Sequence, residues 1–300
     1  MFFDVEGGVV DGATTPSEIA ASWSENGGTR PLKVGIRHTA GWDRICLGES
    51  GYNCVSVVDT CEAGGAMFVL SALSMVYSAE DFRFVLYRSS VPGSYGPVSS
   101  FPQRAAVFDA ITDGAREPYE NYGQRGRGLQ YIGRIVEGRK KKLLDLQEKV
   151  ANGRHIVSIA ELERELYGEV RTNPILLVFD NLNRCAKRFE HGSAFIEFVE
   201  LISAYGSALG VYALFGGRYD SGVVDTERVF VMDGSPSFSG IDFGAIADNI
   251  ETATMYVDRG RETERVPEVP TGVSSDVRVV EPEVLADPES SDDSVGGDEE

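Results

Sequence analysis

Four cysteines in 300 residues, with no C-x-x-C pair among them, leave this chain without the spacing of a zinc ribbon or a dithiol redox centre. Cys46, Cys54 and Cys61 fall in or beside apolar runs; with Cys185 they read as reduced thiols. Histidine is equally sparse. His38, His155 and His191 are scattered, with no H-x-x-x-H pair and no Ser/His/Asp pattern, so neither a metal centre nor a nucleophilic triad is indicated. No apolar run reaches the roughly 18 residues of a membrane span. The opening Met1-Phe2-Phe3-Asp4-Val5-Glu6 lacks a basic segment and a long apolar one, so no signal peptide is expected. Positive charge is also short: 28 Lys and Arg stand against 47 Asp and Glu, a formal net charge of −19. A general nucleic-acid binder usually shows a basic face, so nucleic acid is not a favoured partner.

What is present is ordinary globular material with one unusual end. The hydrophobic fraction of 42% supports a sizeable core. Between Glu262 and Glu300 thirteen acidic and two basic residues crowd together, leaving the rest of the chain at −8. That end, rich in Pro, Ser, Asp and Glu, cannot bury enough surface to order itself. It reads as a solubilising tail; a DNA-mimicking or self-shielding arm is the other reading. Residues 1–30 are Gly-, Ser- and Thr-rich and read as a leader or linker.

Between these ends, strands alternate with helices. Leu32-Lys33-Val34-Gly35-Ile36-Arg37 alternates with period two, and Asp43-Arg44-Ile45-Cys46-Leu47 pairs with it as a hairpin. Apolar strands are expected at 53–58, 82–87, 175–179 and 210–215, with a short one at 105–108. Val229-Phe230-Val231-Met232 and Thr254-Met255-Tyr256-Val257 read as edge strands. Helices are expected from Met67 to Tyr77, apolar nearly all round and so packed on more than one side. Others run from Tyr119 to Val150, from Ser158 (a capping-box serine with Glu161) to Tyr167, and from Gly192 to Ser207. This alternation argues for a three-layer α/β domain with a mostly parallel sheet.

One junction has the outline of a nucleotide site. The strand Asn53 to Val58 runs into Asp59-Thr60-Cys61-Glu62-Ala63-Gly64-Gly65-Ala66, and a helix follows. Strand, tight loop and helix are the setting of the P-loop pattern G-x-x-x-x-G-K-[ST]. Laid on it, the first Gly is Asp59, the second is kept as Gly64, the Lys is Gly65 and the Ser/Thr is Ala66. Gly65 offers no ammonium to β- and γ-phosphates, and Ala66 no hydroxyl to Mg²⁺. Each charge-assisted contact so lost is worth about 1.5–3 kcal/mol. Asp59 and Glu62 add repulsion, roughly 4 kcal/mol for a carboxylate about 4 Å from a phosphate charge at an effective dielectric of 20.

In order and spacing these elements resemble the FtsK/SpoIIIE family of RecA-like motor domains. The likeness runs through the strand pair Leu32 to Leu47, the segment Asn53 to Ser90 and the basic helix Val136-Glu137-Gly138-Arg139-Lys140-Lys141-Lys142-Leu143-Leu144. It continues through Ile175 to Asn181 and Ser203 to Leu214. Within that family the chain is similar to the tandem domains of type VII secretion ATPases of the EccC/EssC kind, arrays that contain domains with degraded nucleotide sites. The resemblance places Asp180 at the Walker B carboxylate and Asn181 where a catalytic Glu commonly stands. An amide cannot act as a general base. It also puts Gly217 where a polar glutamine is usual. Asp180 then reads either as a strand-end cap or as a metal organiser.

The one basic cluster gathers Arg125, Arg127, Arg134, Arg139, Lys140, Lys141 and Lys142. It is either a solvated helix face or a contact for a neighbouring subunit, nucleic acid or an acidic tail. Arg218 stands where it could serve a neighbour as an arginine finger. The expected organisation is a leader over 1–30, a RecA-like P-loop domain over 31–260 and an acidic tail over 261–300. The expected role is an inactive domain, without cofactor, that binds or supports active motor subunits of the same family or a protein substrate in an oligomeric assembly. That places it in the cytoplasm, with membrane contact only through partners. The alternative is an active ATP- and Mg²⁺-dependent DNA or protein translocase with an atypical site.

Overall fold

Four apolar runs, each too continuous for a strand with one wet face, become neighbours in a single sheet. The computed structural model describes residues 2–5, 8–11, 14–28, 32–38, 41–49, 52–58, 64–88, 96–109, 122–150, 158–180, 193–217, 228–231 and 242–264. Its strands are β1 (Phe2–Val5), β2 (Gly8–Asp11), β3 (Leu32–His38), β4 (Gly41–Leu47), β5 (Cys54–Val58), β6 (Arg83–Arg88), β7 (Arg104–Asp109), β8 (Ile175–Phe179), β9 (Val211–Gly216) and β10 (Arg228–Val231). Its helices are α1 (Pro16–Asn26), α2 (Gly64–Val76), α3 (Tyr122–Lys149), α4 (Ile159–Tyr167), α5 (Ser193–Leu209) and α6 (Phe243–Glu264), with a 3-10 turn at Pro97–Ser100.

The central sheet has six strands in the order β10-β5-β9-β8-β6-β7. Every pairing in it is parallel. Side-chain alternation sorts the apolar runs between two cores. Val55, Val57, Phe84, Leu86, Leu176, Val178, Tyr212 and Leu214 face α2, α1 and α6. Val85, Tyr87, Leu177, Phe179, Ala213 and Phe215 face α3 and α5. Connections crossing the sheet one way thus lie on one face and the return lies on the other, as right-handed crossovers demand. The three-layer expectation holds, and α2 is buried on nearly all sides, every residue from Phe68 to Tyr77 being inaccessible.

Three local readings differ from the structure. Residues 254–257 are not an edge strand; they lie inside α6, whose Ile246, Ile250 and Ala253 are buried at helical spacing. Thr254, Tyr256 and Val257, β-branched or aromatic, suggested a strand, and the longer period outweighed them. The presumed leader contains α1, opened by a capping box between Thr15 and Glu18 with Pro16 at the first helical position. Its Ile19 and Trp23 are buried in the α2-side core. The helix at α6 also runs past Arg261, to Glu264. Asp59 to Ala63, Asn181, Cys185, Arg218, His155, His191 and the acidic tail from 265 on lie outside the described residues. Cys46 and Cys54 are buried thiols.

Candidate functional site

In an open parallel sheet, ligands bind beyond the carboxyl ends of the strands, where the chain reverses its direction across the sheet. Here β5 is followed by α2, whose N-terminus returns over that edge. Gly65 and Ala66 form the first turn, and Ala66 is wholly buried. The amide end of a helix favours an anion. The loop that would complete a phosphate cradle, Asp59 to Ala63, is outside the described residues.

Asp180 follows β8 directly. Its amide donates to the Tyr87 carbonyl at 3.2 Å, and its side chain is fully buried. One strand away, Gly216 closes β9 against both Asp180 and α2. A Cβ at Gly216 would stand 2.7 Å from the Asp180 carbonyl oxygen and 2.8 Å from the Ala66 Cβ. The Ala66 methyl group therefore lies against the Gly216 backbone. Gly217, next in the chain, has φ 91°, a conformation that favours glycine.

Arg88 carried no signal in the pattern of residues. It ends β6, opposite Asp109 of β7. Tyr87 pairs with Phe179, so Arg88 and Asp180 are the next neighbours along that pairing. Beneath this rim, on the α3 side, Tyr87, Phe179 and Phe215 form an aromatic row. Centroids are 5.9 Å apart for Tyr87–Phe179 and 5.2 Å for Phe179–Phe215.

Between Arg134 and Lys142 the basic helix does not present one cationic surface, and the side chains of Arg125 and Arg127 lie outside the described residues. Lys142 donates to the buried Glu163 carboxylate at 2.7 Å, and Lys140 pairs with Glu137 at 2.7 Å within α3. Arg139 donates through Nη2 to the Asn173 carbonyl at 2.6 Å, while its buried Nη1 has no hydrogen-bond partner. Burial pushes the Arg139 guanidinium down to about 10, against the opposing pull of Glu163 and Tyr212. Arg134 and Lys141 remain exposed. Burial pushes Glu163 upward, yet Lys142, the Thr172 hydroxyl and the amides of Arg171 and Thr172 outweigh it and hold the carboxyl below its ordinary range. These contacts fasten α3 and α4 to the segment entering β8, so Arg139 and Lys142 have structural duties.

A cavity of about 220 Å³ lies at the opposite end of the sheet, among Ser158, Arg164, Thr172, Ser207 and Tyr212 beside the starts of β8 and β9. It mixes cation and carboxylate, with Glu161 in its wall. Among the described residues no three His, Cys, Asp or Glu side chains are placed to hold a metal ion, and no helix is long and apolar enough to cross a membrane.

A parallel sheet with β9 inserted between β5 and β8, and α2 rising from the end of β5, has the RecA-like fold of P-loop ATPases. Solved structures of EssC and EccC share it. ATPases 2 and 3 of EssC from Geobacillus thermodenitrificans match with a TM-score of 0.50 at 11% identity, over 74% of this chain and 46% of theirs. The cytoplasmic domain of EssC matches with a TM-score of 0.53 at 11% identity, over 81% of this chain and 53% of its own. ATPases 2 and 3 of Thermomonospora curvata EccC, solved with a signal sequence peptide, match with a TM-score of 0.51 at 13% identity, over 75% and 47%. The chain thus spans about half the length of each. No family model and no curated protein matches the sequence.

Proposed function

We propose that this chain is a nucleotide-silent domain of a translocation or secretion motor, a binding or structural subunit that docks beside active motor subunits of the same fold or receives a protein substrate. The observation that carries the reading is Ala66, a buried methyl against Gly216 at the position where a P-loop places its Mg²⁺-binding hydroxyl. Gly65 before it and Asn181 after Asp180 remove the ammonium and the catalytic carboxylate. Three parts of one site are then altered in the same sense. The net charge of −19 favours a protein partner over nucleic acid, and membrane contact comes through that partner.

A second reading, an ATP- and Mg²⁺-dependent translocase of DNA or protein with an atypical site, rests on the retained Gly64 and Asp180. Calorimetry with MgATP separates the two. The unaltered chain is expected to show no binding at micromolar nucleotide. Gly65→Lys/Ala66→Ser, with serine chosen because Ala66 has little room, restores the missing groups; binding by that variant supports the site's location. Micromolar binding with turnover by the unaltered chain overturns the silent reading.

A further inference from the structure

A carboxylate taken fully out of water is costly unless a cation or several donors compensate it. Asp180 is such a group, with none of its surface exposed. In a working site of this kind the compensation comes from the metal and its ligands. Here the first turn of the helix that faces Asp180 holds Gly65 and Ala66, whose side chains bring no cation. Backbone amides apart, a balancing charge has to come from another part of the chain.

The sheet itself supplies one cation in the right place. The six strands end at Val231, Val58, Gly216, Phe179, Arg88 and Asp109, in spatial order, and Arg88 is the basic residue among them. Leu86 and Val178 point into the α2-side core. Two residues further on, Arg88 and Asp180 fall on that same face. Adjacent parallel strands hold such neighbours about 5 Å apart. The backbone bond from the Asp180 amide to the Tyr87 carbonyl fixes the register up to this point.

We propose that the Arg88 guanidinium pairs with the Asp180 carboxylate and acts as an internal cation at the rim, in place of a bound metal. This inference rests on the silent reading of the site and deepens it. With its charge balanced from within, the rim is most stable without metal or nucleotide. Asp109, opposite Arg88 on β7, is the competing carboxylate and serves as the control.

The experiment is thermal unfolding of the full chain and five variants: Arg88→Met, Asp180→Asn, their double, Asp109→Asn, and Arg88→Met/Asp109→Asn. Breaking a buried pair from either side is expected to lower Tm by about 10 °C. The Arg88/Asp180 double should lose no more than the worse single, whereas the Arg88/Asp109 double should be additive. Unchanged Tm in Arg88→Met, additive losses with Asp180, or coupling with Asp109 instead would each overturn the pairing. Should Arg88→Met fail to fold, Arg88→Lys decides: a folded protein near the original Tm supports the pair, and an equal failure rejects it. MgATP binding by the unaltered chain would defeat the silent reading while leaving the coupling result to stand on its own.

Discussion

Ala66 on α2 and Gly216 on β9 meet so closely that a methyl group on the glycine would stand 2.8 Å from the alanine Cβ. The contact seals the helix onto the rim where the strands of the sheet end. It ties the rim of the sheet to the packing of the core, because Gly216 cannot gain a side chain unless the Asp180 backbone or α2 moves.

Gly216→Ala should therefore destabilise the protein by about 1–3 kcal/mol, the usual cost of overpacking. Gly138→Ala is the control. It sits within α3 with nothing inside 4 Å of the added atom, and alanine there should stabilise by up to about 1 kcal/mol. Urea denaturation of both reads the difference. Equal stabilities would mean that β9 and α2 are not packed as described.

Trp23 measures whether the first thirty residues belong to the folded unit. Its ring is 5% exposed, and Nε1 donates to the Ser74 carbonyl at 3.0 Å. Trp23→Ala should cost about 3–5 kcal/mol. Trp23→Phe should cost only about 1 kcal/mol, since the Ser74 carbonyl still accepts from Gln103 Nε2 at 3.1 Å. Removing residues 1–28 should lower stability at least as much as Trp23→Ala. Unchanged unfolding after that deletion would restore the leader reading.

Glu163 gives the fold an acid limit. Its folded pKa is lowered from 4.5, so the stability it contributes is complete above that value and is lost as pH falls through it toward the lower folded value. Glu163→Gln should cost about 2 kcal/mol at neutral pH and show a flatter acid limb in unfolding titrations. Lys142→Met removes one of the donors and should move the acid limb to higher pH. An acid limb that both substitutions leave in place would assign it to other carboxylates.

Much of the fold could be read from the residues because burial on both faces leaves a strong mark. Phe84 to Tyr87, Leu176 to Phe179 and Val211 to Phe215 are apolar without a break, Cys54 to Val58 is interrupted only by Ser56, and a doubly covered parallel sheet uses such runs. Ser158 announced α4, and its hydroxyl does accept from the Glu161 amide at 3.2 Å. The helix at 16–26 was equally announced by Thr15-Pro16-Ser17-Glu18, but the surrounding Gly, Ser and Thr obscured that signal.

The site was legible as identities and not as geometry. Gly65 and Ala66 follow from the order of letters, and laid on the P-loop pattern they offer neither ammonium nor hydroxyl. The basic run Arg139 to Lys142 misled as a surface, because a helix turns successive residues to different sides. Arg139 and Lys142 face the α4–β8 connection, while Lys141 faces solvent.

Covalent order alone therefore determined which groups this chain can offer: the apolar runs, the helix caps, the acidic excess and a P-loop outline without its charged and hydroxyl side chains. Which groups meet was decided by tertiary structure. Asp180, Gly216, Ala66 and Arg88 are distant in the chain, and parallel pairing brings them to one rim. Crossover connections fix strand order through packing over long loops, and no local propensity encodes that neighbourhood.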